Sequence, residues 1–185
     1  MLKFSEIIGL PVISISTGNR IGVVKDIIFI STTKKILALI INNKKIMSNT
    51  KAIKVEDIVK AGRSAILVKD EKCVISLDQL PQLPNMKKYR DEIVDLQVYT
   101  DSGVNLGTVQ DASFDFEIGM LEEIEISDGI VQDLIEGRKF IPATESIQLE
   151  KGIVIVESEK VHQLKTNGKG IKKYLLKGSS KNEKK

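Results

Sequence analysis

The sequence predicts a mainly all-β fold, two tandem small β-barrels with a short helical insert in the second, and three observations lead there. First, Gly18-Asn19-Arg20-Ile21-Gly22-Val23-Val24-Lys25-Asp26 returns 85 residues later as Gly103-Val104-Asn105-Leu106-Gly107-Thr108-Val109-Gln110-Asp111. Second, both copies lie among short segments of alternating apolar and polar residues bounded by polar turns, the period of strands. Third, Leu77-Asp78-Gln79-Leu80-Pro81-Gln82-Leu83-Pro84-Asn85 separates the copies with two prolines, a stiff connection that leaves little freedom for helix. The expected organisation is barrel 1 over 1–76, a linker over 77–89, barrel 2 over 90–158 and a basic tail over 159–185.

Each copy opens with a strand (Val12, Ile13 and Ile15; Leu96, Val98 and Tyr99) that runs into a polar turn at Ser16–Arg20 or Thr100–Asn105. Gly18 and Gly103 supply the positive φ such a turn requires, and Gly22 and Gly107 let one backbone pass close to another. The second strand, Ile21–Ile30 or Leu106–Asp115, is long enough to curve along a barrel, with its glycine absorbing the bend. A third strand follows at Lys35–Asn42 and Met120–Ser127, where Glu123 and Glu125 alternate with Ile124 and Ile126 and place carboxylates opposite an apolar face.

Copy one then turns tightly through Asn42-Asn43-Lys44-Lys45, whereas copy two carries Asp128–Arg138. Ile130, Val131, Leu134 and Ile135 fall at helical spacing there, with Asp128 as cap and Gly137 as stop, so this insert reads as a helix of one to two turns. Thr144-Glu145-Ser146-Ile147 matches Glu56-Asp57-Ile58, and both lead to last strands at Ile153–Val156 and Ala65–Lys69.

Composition bounds the functional classes. With 42% hydrophobic and 29% charged residues the body is expected to fold as a globular chain, and its longest apolar run, Ile36 to Ile41, is strand-sized, far from the ~20 residues of a spanning helix. No secretory signal is recognised at Met1-Leu2-Lys3-Phe4-Ser5-Glu6, so the expected location is cytoplasmic. The single cysteine, Cys73, is expected to be a small packed residue. Charge is unevenly distributed: +6 over 1–84, −11 over 85–159 and +8 over 160–185. Such asymmetry biases encounter and docking without dictating fold. The tail, poor in core-forming residues, is expected to be mobile, with Ile171 and Tyr174-Leu175-Leu176 as its apolar foothold.

Catalysis needs a nucleophile, a base and an oxyanion stabiliser in one pocket, and the inventory is thin. His162 is the only histidine and is expected to face solvent; Glu122-Glu123 and Asp115-x-Glu117 lack the spacing of a calcium loop; no Walker-type lysine loop or dinucleotide fingerprint is present. No catalytic, cofactor or metal residues are assigned. Asp133 and Arg138 are the best local candidates for a site, either bracing the insert by pairing with each other or presenting themselves to a partner. Lys34, Lys35, Lys44 and Lys45, with Lys51 and Lys54, could form a phosphate-facing strip, though with no tryptophan and few aromatics to stack bases any contact is expected to be weak and salt-sensitive.

Taken together, Ile7-Ile8-Gly9-Leu10-Pro11-Val12, Gly18 to Asp26, the Ile36–Ile41 strand, Val55-Glu56-Asp57-Ile58 and Ala65-Ile66-Leu67-Val68 resemble the PRC-barrel family. This small barrel is shared by the cytoplasmic domain of the photosynthetic reaction-centre H subunit and the C-terminal domain of a ribosome maturation factor. Copy two departs from the pattern, with Val94 in place of Gly9, Gln97 in place of Val12, and the helical insert. The resemblance implies a platform rather than an enzyme, because the family's barrels are alike while their partners are not. The expected function is a non-enzymatic adaptor that binds protein partners. The alternatives are an RNA- or ribosome-associated assembly factor using basic barrel 1 and the tail, or a protein held at an anionic membrane surface by the tail.

Overall fold

The computed structural model describes residues 1–42, 50–129, 137–143, 147–150, 152–163 and 165–166. The first repeat contributes β1 (Leu2–Lys3), α1 (Phe4–Ile7), β2 (Pro11–Ser14), β3 (Arg20–Ile30), β4 (Ile36–Asn42), β5 (Lys51–Lys54), β6 (Ile58–Ala61), β7 (Ile66–Val68) and β8 (Val74–Ser76). The second contributes β9 (Met86–Lys88), α2 (Tyr89–Glu92), β10 (Gln97–Thr100), β11 (Asn105–Asp115), β12 (Met120–Ser127), β13 (Lys139–Pro142), β14 (Ile147–Leu149), β15 (Ile153–Val156) and β16 (Lys165–Thr166). One sheet has the order β6-β7-β2-β3-β4-β5-β8 with β9 added to β3; the other has the order β14-β15-β10-β11-β12-β13-β16 with β1 added to β11. Each sheet curls as half a barrel, and the parallel pairs β2·β7 and β10·β15 hold equivalent places in them.

The two long strands show why the repeat is so legible. β3 and β11 have the same sequence of buried and exposed residues throughout their lengths. Strict alternation fails in both, and in β3 the cause is visible: register shifts between Val24 and Asp26 and between Ile28 and Phe29 bend the strand. A bulge adds twist and turns successive side chains to the same side, which is how Asp26, Ile27, Ile28 and Phe29 all come to be buried.

Gly22 and Gly107 sit where the long strand crosses its neighbour. A Cβ at Gly22 would lie 2.7 Å from the carbonyl oxygen of Asn42, and one at Gly107, whose φ is +119°, would lie 2.1 Å from that of Ser127. Backbone cannot move aside as a flexible side chain can, so both positions demand glycine. Gly18 (φ +70°) and Gly103 (φ +83°) instead have open space around them and serve the turn through their left-handed conformation.

The departures assigned to copy two prove to be a slip of one residue. Asp95, not Val94, takes the left-handed role of Gly9: their φ values are 67° and 84°, and their N–H groups donate to the carbonyls of Val109 and Val24. Val98, not Gln97, then stands where Val12 does, each paired with a strand glycine, Gly107 and Gly22. One extra residue before β10 is compensated by a shorter turn after it. The paired strands keep a common register.

By contacts the chain divides into two compact units, 1–93 with 112–122, and 94–111 with 123–185, so that β11 and β12 contribute residues to both. In the first unit, β1 pairs Leu2 with Phe114 and Lys3 with Ser113, while β9 pairs Lys87 with Phe29 and Lys88 with Ile28. Phe4, Phe29, Tyr89 and Phe114 gather around these strands. Tyr89 lies 4.6 Å from Phe4 in a tilted arrangement and 5.4 Å from Phe114 edge-on. Such ring geometries add about 0.5–1.5 kcal/mol per pair beyond simple burial. A second cluster joins Ile28, Ala38, Ile40 and Ala52 to Leu80. The segment expected to be only a connection thus supplies a 3₁₀ turn at Leu77–Gln79 and a core residue just after it. Its longest exposed stretch is Pro81 to Asn85.

The second unit has its own core, which includes Val98, Val109, Ile124, Ile126, Ile141, Val154 and Val156. Most of the insert and most of the tail lie outside the described residues, among them Ile130, Val131, Asp133, Leu134, Ile135, Ile171 and Tyr174. Among the described residues no helix is long and apolar enough to cross a membrane.

Candidate interaction surfaces

In the first unit, β6 is an edge strand hydrogen-bonded to β7, and its register shifts between Ile58 and Lys60, so Val59 is bulged. A groove of about 560 Å³ runs beside it, lined by Met1, Leu2, residues 58–63 and residues 114–117. The end of β11 is shaped by Asp115, whose carboxylate accepts the N–H groups of Glu117 at 2.8 Å and Ile118 at 3.3 Å. That turn places Glu117 2.5 Å from Lys60 Nζ, and the hydrogen bond to Glu117 together with its charge raises the lysine pKa. Both side chains are exposed, so the pair orients more than it stabilises. Met1 and Val59, which line the groove, are 66% and 57% exposed, and Ile118, next in sequence to the lining residue Glu117, is 65% exposed.

The second unit holds a different constellation. Glu125 is buried, contrary to the expected polar face of β12, and Arg138 donates to it at 2.8 Å from a half-exposed position. A buried carboxylate is tolerable when a guanidinium reaches it, which explains a charged residue between Ile124 and Ile126. Lys139 similarly bonds Asp128 at 2.6 Å. A polar cleft of about 610 Å³ is lined by Gln97, Asn105, Gly107, Thr108, Gln110, Ser127, Asp128, Gly129 and Arg138. Asp133, the partner considered for Arg138, lies outside the described residues.

Of the expected basic strip, one member is withdrawn from solvent. Lys34 is buried, with its Nζ donating to the Ser31 carbonyl at 2.6 Å, and burial lowers its pKa; it does not face solvent as a phosphate ligand would. Lys35 is exposed, Lys51 and Lys54 are half-buried, and Lys54 bonds Glu56 at 3.3 Å. Lys44 and Lys45 lie outside the described residues. Among the described residues no group of three or more His, Cys, Asp or Glu side chains could hold a metal ion. Cys73 is half-buried and bonds the Asp70 carbonyl at 2.8 Å; burial, aided by Asp57 and Asp70, pushes its thiol up to about 11, the opposite of nucleophile activation.

Asp26 closes the repeated segment and was not singled out as a functional residue. Its buried carboxylate accepts the N–H groups of Ile27 at 2.8 Å and Arg90 at 2.9 Å, so it tethers the start of α2 to β3. The Arg90 guanidinium in turn lies over the Phe4 ring, 5.6 Å from its centre. The signal for it was the recurrence of Asp at the end of both Gly-x-x-x-Gly segments.

Against this geometry, the PRC-barrel domain profile matches the chain twice, over residues 1–72 and 86–163. The chain belongs to the PRC-barrel family. No curated protein matches it. PRC-barrels are a non-catalytic domain family. The second PRC-barrel match takes in β9 and the 112–122 segment, both of which pack in the first unit.

Proposed function

We propose that this tandem PRC-barrel chain is a non-enzymatic protein-interaction module whose docking site is the groove between β6 and the end of β11. The observation that carries the reading is the set of exposed apolar side chains there: Met1 and Val59 line the groove and Ile118 adjoins Glu117 at its rim. The bulge at Val59 and the charge of Lys60 blunt β6 against simple addition of another strand. The partner that fits is therefore a protein segment bringing an apolar side chain to Val59, with a carboxylate toward exposed Arg63.

The test uses the tagged full chain beside Val59→Asp and Ile118→Asp, with Gln110→Ala in the second unit as control and folding checked by thermal unfolding. A partner retained by the parent chain and the control but lost from both Asp variants supports the reading. Retention that ignores both substitutions contradicts it. Capture of RNA that is released in moderate salt favours the assembly-factor alternative instead.

A further inference from the structure

Within the first unit, residues of the two repeats meet through a contact that is its own two-fold image. Exchanging the repeats, so that one residue of each pair gains the offset and the other loses it, turns the Leu2–Phe114 and Lys3–Ser113 pairs into the Lys87–Phe29 and Lys88–Ile28 pairs. At the centre Lys35 bridges Met120, which are themselves equivalent positions. On either side Ile36 donates to the Gly119 carbonyl at 2.8 Å and Leu121 donates to the Lys34 carbonyl at 2.9 Å, again one bond and its image. Contacts of this kind, in which the same patch serves on both sides, are those of symmetric dimers. The backbone therefore allows a first repeat to meet either a second repeat or another first repeat.

The side chains do not allow both equally. Positions 34 and 119 are equivalent and share a left-handed backbone, with φ of 61° at Lys34 and 69° at Gly119. Lys34 is only 5% exposed, its ammonium held by the Ser31 carbonyl. Gly119 brings no side chain, and a Cβ there would meet only Val55 Cγ2, at 4.0 Å. The present pairing thus carries one lysine next to the central bridge, buried and with its ammonium on the Ser31 carbonyl. Two first repeats would bury two, one on each side of it, adding a second desolvation and a like-charge repulsion. Lysine is also an unfavourable residue for a left-handed backbone, where glycine costs nothing. Folding of the turn alone does not account for a lysine there.

We propose that Lys34 sets the pairing of this self-complementary face, admitting the second repeat of the same chain and rejecting the first repeat of another copy. Discouraging one like pair is enough. The halves are present in equal number, so second repeats cannot pair among themselves without leaving first repeats unmatched.

The test is made on the full chain with a protease site inserted in the exposed stretch between Pro81 and Pro84, cleaved under native conditions. Two isotopically distinct preparations are mixed and the assemblies counted by native mass spectrometry. With Lys34 present, the nicked protein is expected to hold one first repeat and one second repeat in every assembly. Lys34→Gly, which suits the backbone, and Lys34→Met, which keeps the bulk without the charge, are expected to release like pairs, approaching about one first-repeat pair in four assemblies, the random proportion. Thermal unfolding of each uncleaved variant establishes that it is folded, and either one suffices. Nicked variants that form only unlike pairs overturn the proposal, as does a parent protein that already forms like pairs or separates into single repeats.

Discussion

The Asp26 carboxylate accepts the backbone N–H of Arg90, 64 residues further along the chain, at 2.9 Å. Burial, the dominant influence, raises its pKa above the ordinary 3.8 despite the two backbone hydrogen bonds that favour its charged form. A carboxyl raised in the folded state contributes stability that is full below its unfolded pKa and is lost as pH rises through the folded pKa. Asp26→Asn, which can still accept both N–H groups, is therefore expected to match or exceed the parent at pH 7 and to show a flatter stability profile upward from pH ~4. Asp26→Ala should cost about 1–3 kcal/mol, because two N–H groups, one buried and one partly so, lose their acceptor. Denaturant titrations at several pH values check both.

The strand glycines should rank by what surrounds them. Gly107→Ala is expected to be the most damaging, since its Cβ would fall 2.1 Å from backbone at a left-handed φ, and Gly22→Ala the next, at 2.7 Å. Overpacking of this kind costs about 1–3 kcal/mol or more. Gly18→Ala, with open space and only the left-handed φ to pay for, should cost about 1–2 kcal/mol. Thermal melts of the three variants give the order.

For the second unit, Arg138→Ala removes the cation from a carboxylate that is nearly inaccessible and is expected to lower stability by about 1–3 kcal/mol. The double variant with Glu125→Gln should recover part of that loss, because the buried charge goes with its partner. A double-mutant cycle on chemical denaturation measures the coupling.

Much of the fold was legible because one spacing repeats with the same residue types. Gly22 and Gly107 announced the close strand crossings, and the alternation around them announced the strands. What was missed lay where the signal is non-local. Leu80 looks like a linker residue until the core against which it packs is known. Glu125 reads as solvent-facing by alternation, yet Arg138, thirteen residues on, permits its burial. The offset was carried rigidly through Val94 and Gln97, although compensating changes before and after β10 shift the equivalence by one. Lys34 reads as one more member of a basic cluster; only the pairing of Lys35 with Met120 and the bond from Leu121 to the Lys34 carbonyl place its backbone against the other repeat. The groove itself has no local signature, since Val59 and Glu117 are brought together by topology.

Tyr89 is the ring that touches Phe4, Phe29 and Phe114, and it is wholly buried. Tyr89→Ala is expected to cost about 3–5 kcal/mol, as truncations of large core aromatics do, whereas Tyr89→Phe keeps the ring contacts and should cost far less. Because Tyr89 belongs to the second repeat, this loss should appear in hydrogen exchange of β3, in the first.

The most direct measurement is the thermal unfolding of residues 1–84 alone, a complete first repeat without β9, Tyr89 or the 112–122 segment. If the first unit depends on what the second repeat lends it, this fragment shows no cooperative transition near that of the full chain, and adding residues 85–185 restores one. A fragment that unfolds cooperatively at the same midpoint as the full chain would contradict that dependence.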